Sequence, residues 1–292
     1  MADYLIKATA AQGRVRAFAC DTKNTCEFAR QAHQTSPVVT AALGRMLSAG
    51  LMMGSMMKGE EDLLTLKIEG SGPMKGVLVS ADSRGNVKGY PFCSIVDLPP
   101  NAQNKLDVAE AIGVGVLSVI ADVGMKEPYI GQVELISGEI AEDLTYYYAL
   151  SEQTPSSVVL GVLMNKNNTV SAAGGFILQL MPDCGEEIIS ELEKRIAQTE
   201  AVSTLLAEGK TPEEILCALL EGMEPEIHEK MEIGFHCSCS EDKIKKALVS
   251  VGEKELREMI DEGKDIEVCC HFCKKAYRLG KEDLEELYQR AK

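Results

Sequence analysis

Four cysteines near the end of the chain limit what it can fold into more than any other feature. Residues 235–240 read Phe-His-Cys-Ser-Cys-Ser, and residues 268–273 read Val-Cys-Cys-His-Phe-Cys. Cys237 and Cys239 form a CxC; Cys270 and Cys273 form a CxxC. Two close pairs of thiols, separated by a short segment, are the arrangement that encloses one tetrahedral ion. The expected ligands are therefore Cys237, Cys239, Cys270 and Cys273, holding one Zn²⁺ per chain. His236, His271 and Cys269 are rival donors and rank lower, because Cys269 would make a CxxxC with Cys273 and His271 lies inside the CxxC. Four thiolates around Zn²⁺ leave a local charge of about −2. Lys243, Lys245, Lys246, Lys274, Lys275 and Arg278 are close enough in sequence to offset it.

The surroundings of the thiols explain why a metal is needed. Residues 231–292 form a small unit whose predicted helices, 241–251 and 254–261, are short and charged. A domain of this size buries little apolar surface and is marginal without a staple. Structural zinc binding is worth on the order of 10–16 kcal/mol in small finger peptides. The expectation is a module folded with metal and unfolded without it. Zinc also keeps its ligands as thiolates, the form that oxidants attack. Within each pair the partner thiol is adjacent, so a sulfenate could be captured as Cys237–Cys239 or Cys270–Cys273. Spacing alone equally allows an inert structural zinc.

The rest of the chain reads as an α+β fold: a mixed-sheet N-terminal core domain over 1–182, a helical linker over 183–230 and a small C-terminal zinc-binding domain over 231–292. Residues 4–20 alternate as a strand or hairpin. Residues 22–57 read as helix, with Ser36-Pro37 as N-cap and first-turn proline. This helix carries Met46, Met52, Met53, Met56 and Met57. Those methionines read first as core and second as an adaptable apolar surface. Strands follow at 64–69, 76–81 and 87–90, with another at 106–123, a helix at 139–152 and a hairpin over 157–180. Between 183 and 221 the chain places ten acidic residues against three basic ones. The same segment carries an apolar stripe through Ile188, Leu192, Leu205, Leu206, Ile215 and Leu216. Helices 186–208 and 212–221 cannot bury that stripe by themselves. They must lie on another surface, which makes the arm a candidate for conditional exposure.

Composition excludes several functions. A net charge of −15 argues against nucleic acid or an anionic membrane as partner, since both demand clustered positive charge. No signal-peptide pattern and no apolar run of roughly 20 residues are present, so a cytoplasmic protein is expected. No Walker-type GK[ST] occurs, and Gly70-x-Gly72-x-x-x-Gly76 leads into a strand, so no nucleotide is expected. No nucleophile–base–acid constellation emerges, so an enzyme is not expected. Cys20, Cys93 and Cys217 read as small core residues, Cys26 and Cys184 as exposed thiols, and His33 and His228 as isolated.

Residue for residue, the chain resembles the heat-shock protein 33 family of redox-regulated holdase chaperones along essentially its whole length. The resemblance rests on Ser36-Pro37-x-x-Thr40-Ala41-Ala42-x-Gly44-Arg45, Gly70-x-Gly72-Pro73-x-x-Gly76, Val87-Lys88-Gly89-Tyr90 and Ser137-Gly138-Glu139-Ile140-Ala141-Glu142-Asp143. It continues through Ser151-Glu152-Gln153-Thr154-Pro155-Ser156, Ala173-Gly174-Gly175-Phe176, Phe235-x-Cys237-x-Cys239-Ser240 and Cys270-x-x-Cys273-x-x-x-Tyr277. Cys269 departs from the pattern and offers an alternative disulfide partner. The resemblance implies a reduced, zinc-bound, inactive form. Oxidant with unfolding stress then forms two disulfides, releases zinc, destabilises the linker and exposes an apolar surface that binds unfolding client proteins without ATP. It also implies a homodimer when active. Two other classes compete on the cysteines alone: a zinc-ribbon nucleic-acid-binding protein, disfavoured by charge, and a thiol–disulfide oxidoreductase, which needs its CxxC at the start of a helix.

Overall fold

The computed structural model describes residues 2–291. An antiparallel hairpin opens the fold, β1 (Tyr4–Ala10) and β2 (Val15–Asp21), followed by α1 (Lys23–His33) and α2 (Pro37–Gly54). The single helix expected over 22–57 is thus two. Gln34 takes the left-handed conformation (φ 50°) and ends α1, and Ser36 is extended (φ −65°, ψ 160°). The proline ring forbids helical backbone at the residue before it, so Pro37 restarts the helix instead of continuing it. Ser36 stands at the N-cap position, but its Oγ accepts the N–H of Val96 at 3.0 Å and makes no cap bond.

A meander follows: β3 (Leu63–Gly70), β4 (Gly76–Asp82) and β5 (Asn86–Pro91). The strand expected over 106–123 is a short helix, α3 (Val108–Ile112), then β6 (Gly115–Asp122). Asp107 caps α3 by accepting the N–H of Glu110, and Gly113 (φ 71°) turns the chain out of it. β7 (Tyr129–Glu134) and α4 (Ala141–Leu150) come next. The buried Asp143 carboxylate accepts the N–H groups of Ile136, Ser137, Gly138 and Ile140, at 2.8–3.3 Å. The motif 137–143 is therefore a loop folded around one carboxylate. β8 (Ser156–Met164) and β9 (Val170–Leu180) form the expected hairpin.

The arm consists of α5 (Glu186–Gln198), α6 (Val202–Ala207) and α7 (Pro212–Leu219). Thr211 and Glu214 close a capping box on α7. The last part of the segment expected as helical linker is not helical. Residues 226–232 are a strand, β10 (Glu226–Glu232), paired antiparallel with β1, and β11 (Gly234–Phe235) lies parallel to β5. β10 carries almost no buried side chains. Its backbone hydrogen bonds hold it, and a burial pattern cannot reveal such a strand.

Before Cys237 the strands form two sheets, ordered β10-β1-β2-β9-β8 and β11-β5-β4-β3-β6-β7. α2 packs on β3, β4 and β5 of one and on β2, β8 and β9 of the other. Met46, Leu47, Leu51 and Met52 are fully buried in the main core. Of the two readings of the Met-rich helix, the core reading describes this state. α2 is the one described helix long and apolar enough to cross a membrane, and 89% of that stretch is buried inside the fold.

The outer face of the five-stranded sheet carries Ile6, Ala8, Ala17, Ala19, Phe176 and Leu178. The arm covers it, contributing Leu192, Val202, Ile215, Leu216, Leu219 and Leu220 to the same buried cluster. α6 lies on β8 and β9, and α7 lies on β1 and β2. α6 approaches the sheet closely because Gly161 faces Ser203 and Gly174 faces Leu206, with no Cβ on either glycine. These glycines are cross-strand partners in the β8–β9 register. α5 seats less well: a cavity of about 550 Å³ lies beside it, walled by Leu178, Leu180, Leu192 and Ile196.

The chain divides between His236 and Cys237 into two compact units. The second contains α8 (Glu241–Val249), α9 (Glu253–Glu262), β12 (Ile266–Cys269), β13 (Ala276–Leu279) and α10 (Lys281–Ala291). Its apolar core is Leu248, Leu256, Ile260, Leu279, Leu284 and Leu287.

Two expectations for single cysteines reverse. Cys26 is buried (1% exposed), with its sulfur packed against Gly44. Cys217 is exposed, because the face of α7 that meets the sheet is Ile215, Leu216 and Leu219. Burial raises the thiol pKa of both Cys20 and Cys26. Alkylation of the native protein should therefore label Cys217 and Cys269 first, and Cys20 and Cys26 only after unfolding. Peptide mass spectrometry reads this directly, and native labelling of Cys26 at the rate of Cys217 would contradict the packing.

Candidate metal centre

Cys237 and Cys239 lie in the extended stretch before α8, whose cap Ser240 accepts the N–H of Lys243 at 3.3 Å. Cys270 and Cys273 lie in the turn joining β12 to β13. The turn is tight: Cys270 N–H donates to the Lys275 carbonyl and Lys274 N–H to the Cys270 carbonyl, both at 2.9 Å. Lys274 takes the left-handed conformation (φ 59°) to allow this. The chain then folds its amides onto the sulfurs. Cys239 N–H points to the Cys237 sulfur, and Lys275 N–H to the Cys273 sulfur.

The four sulfurs converge within 4.8 Å of one another. Cys237 and Cys270 are 3.7 Å apart, and Cys239 and Cys273 are 3.4 Å apart. A tetrahedron with Zn–S bonds of about 2.3 Å has S···S edges of about 3.8 Å. The donor set and its spacing therefore fit one tetrahedral ion of the zinc class. Among the described residues, Cys269 and His271 stand outside the group. β12 alternates, with Val268 turned inward and Glu267 and Cys269 exposed, so Cys269 is exposed beside the buried Cys270.

Electrostatics differ among the sulfurs. Burial pushes the Cys237 thiol up to about 12, and burial also raises Cys273. Burial acts on Cys239 too, but the Tyr277 hydroxyl and the neighbouring thiols donating to its sulfur outweigh it and hold the thiol at about 7. The Tyr277 O–H···S contact is 3.1 Å. Tyr277 was legible only as part of a motif. The usable signal is alternation on β13, where Tyr277 and Leu279 are buried and Ala276 and Arg278 exposed. Partners that hydrogen-bond to metal ligands typically contribute 10–100-fold in affinity. Tyr277→Phe should weaken zinc binding by about that factor, measured by competition with a chromogenic chelator. An unchanged affinity would leave the hydroxyl without a role.

The expected cations contribute unequally. Lys243 Nζ reaches the Ser238 carbonyl and hydroxyl at 2.8 and 3.0 Å, beside the CxC. Lys245 pairs with Glu241 and Asp283, and Arg278 pairs with Glu267, so neither is free to offset the thiolates. Lys275 Nζ lies 5.2 Å from the Tyr277 ring centroid. The CxxC sits in a strand–turn–strand hairpin and not at a helix N-terminus, which removes the thioredoxin-like reading.

Comparison with known proteins settles the family. The profile described as Hsp33 protein matches residues 3–280. The chain belongs to the Hsp33 family. Among curated relatives, the 33 kDa chaperonin of Lachnoclostridium phytofermentans is 57% identical, over the full length of both chains. That of Agathobacter rectalis is 52% identical, over 98% of this chain and all of its own. A crystal structure of the Hsp33 homologue from Thermotoga maritima superimposes with a TM-score of 0.94 at 36% identity, covering 99% of each chain. The α+β class expected from the sequence is thus the class of an Hsp33 structure.

Proposed function

We propose that this protein is a redox-regulated, ATP-independent holdase chaperone of the cytoplasm, not an enzyme, whose clients are unfolding proteins. Its relatives' name, 33 kDa chaperonin, supports the chaperone activity. The observation that carries the switch is the arm: an acidic amphipathic segment whose apolar residues share one buried cluster with an open sheet face. Undocking it would expose Ile6, Phe176 and Leu178 together with the arm's own leucines. Such a combined apolar surface is what a holdase needs and what a resting protein must cover.

In the resting form Cys237, Cys239, Cys270 and Cys273 hold one Zn²⁺ as thiolates. Bound there, the ion supplies folding free energy to the module. Peroxide oxidises one thiolate of a pair to a sulfenic acid; the second thiol attacks its sulfur, closing the disulfide and releasing water. Each bond takes two electrons from the pair and removes two donors. We assign the bonds as Cys237–Cys239 and Cys270–Cys273. The contacts of 3.7 and 3.4 Å cross between pairs, but they depend on the folded module. The short loops within each pair keep their sulfurs close after the module loosens. Loss of the module frees β11 and β10, edge strands that follow the arm, and the arm detaches. The active form is a homodimer.

The experiment compares suppression of client aggregation by reduced and by peroxide-treated protein, with zinc and free thiols counted in parallel. Activation with loss of one zinc and four thiols is expected. Equal suppression in both states would sink the switch. A salt-sensitive gel shift would favour the nucleic-acid reading instead.

A further inference from the structure

We propose that the edge of β1 held by β10 in the resting protein is the client site: an extended segment of an unfolding polypeptide replaces β10 there and pairs through its backbone. The inference deepens the holdase reading above and rests on it for the step that releases β10.

β10 shows what the edge accepts. It pairs antiparallel with β1 along the whole strand, from Tyr4 opposite Glu232 to Thr9 opposite Glu226. Six of its seven side chains are exposed, and Met231 is half-buried. Its polar side-chain ties lie at or near the surface: Glu229 to Lys7 at 2.9 Å, His228 to Thr9 at 2.6 Å, and Lys230 to Glu213 of α7 at 2.9 Å. Pairs of this kind contribute little. The edge therefore recognises a main chain and not a sequence. Strand addition of that type suits a binder of unrelated unfolding proteins, because every chain carries the same amides.

β10 is also a strand that a client can outcompete. Its sequence, Glu-Ile-His-Glu-Lys-Met-Glu, is poor in the β-branched and aromatic residues that favour strands. Its ladder with β1 shifts register between Lys7 and Ala8. The face of the sheet adds a second element of recognition. Ile6 and Ala8 of β1 belong to the cluster that the arm covers, with Phe176 and Leu178. A strand laid on β1 sends every second side chain to that face. β10 places Lys230 opposite Ile6; a client segment places an apolar residue there and extends the surface the arm has left. Backbone pairing thus supplies affinity, and alternate apolar side chains select unfolding segments, whose amides are free.

The test reads hydrogen exchange at two amides of β1. Ile233 N–H donates to the Asp3 carbonyl at 3.2 Å. Bonded pairs recur at every second residue of an antiparallel ladder, so the amides of Leu5 and Lys7, opposite Met231 and Glu229, point at β10. Glu229→Pro removes one ladder donor at an exposed edge position. In reduced, zinc-loaded variant, exchange at Leu5 and Lys7 should rise about five- to tenfold. A short peptide alternating threonine and valine between terminal lysines should restore protection, slowing exchange about tenfold at ten times its dissociation constant. The same peptide N-methylated at two adjacent central residues, which blocks both of its edges, should not. Unchanged exchange in the variant, or equal protection by both peptides, overturns the site. In oxidised wild type the two amides should exchange freely and regain protection when permanently unfolded, carboxymethylated lactalbumin is added. Suppression of client aggregation with these amides unprotected would overturn the site and leave the holdase reading intact. The peptide measurement uses neither oxidant nor client, so absence of a redox switch leaves the edge site standing.

Discussion

Replacing Cys270 by serine is expected to unfold residues 237–291 while the two-sheet unit stays folded. Cys270 is the most enclosed of the four thiols, at 7% exposure. A hydroxyl is a poor zinc ligand at neutral pH, so the site would retain three thiolates. The module's own core is six aliphatic side chains. Cores of domains this small rarely supply more than about 3–5 kcal/mol, against about 10–16 kcal/mol from structural zinc. Losing most of that metal term leaves the module without net stability. Zinc content should fall to near zero, and hydrogen exchange over 237–291 should become that of an unfolded chain. The same result should follow from a strong chelator on the wild type. A zinc-free variant that kept its exchange protection would show that the leucine core suffices and that the metal is no switch.

The second large effect concerns the arm. Gly161→Ala is expected to make the reduced protein active without oxidant. A Cβ at 161 would meet Ser203 at 2.9–3.0 Å, including its backbone nitrogen. β8 cannot retreat, since β9 is bonded beside it and α2 packs on its other face. The strain therefore falls on α6, a six-residue helix with little stability of its own. Overpacking of this kind costs about 1–3 kcal/mol, which raises the undocked fraction about 5- to 150-fold. Client aggregation assayed with reduced, zinc-loaded variant should show suppression that the wild type lacks. Exchange over 202–207 unchanged from the wild type would refute the contact. Gly174→Ala is a poorer probe: its Cβ would also meet the Cys20 carbonyl at 2.2 Å and damage the sheet itself.

Sequence patterns resolve some of these features and hide others for identifiable reasons. The clustering of the four thiols was legible because metal geometry demands closely paired donors. The hairpin β8–β9 and the capped α7 were legible from turn and cap residues that act locally. The split between α1 and α2 was also local, written in Ser36-Pro37, yet the apolar periodicity on both sides masked it. β10 was illegible because its side chains face solvent and only its backbone is engaged. Cys26 and Cys217 exchanged their expected environments because burial depends on which face of a helix meets a sheet. Tyr277 needed three dimensions: it lies on β13, 38 residues along the chain from the Cys239 sulfur that its hydroxyl meets.

β10 also has a kinetic meaning. The arm leaves the five-stranded sheet at the end of β9 and returns to it as β10, so residues 181–225 are a loop tied at both ends to the surface they cover. While β10 stays paired, an undocked arm remains at high effective concentration over its own site, and a client must compete with that tether. Once β10 peels away, one anchor is gone and the competition weakens sharply. Under the proposed holdase mechanism, openings with β10 in place would be brief and self-correcting, and its release would let them last long enough to capture a client. Restoring the metal would let β10 re-pair first, and the arm would then displace the client from within the same molecule.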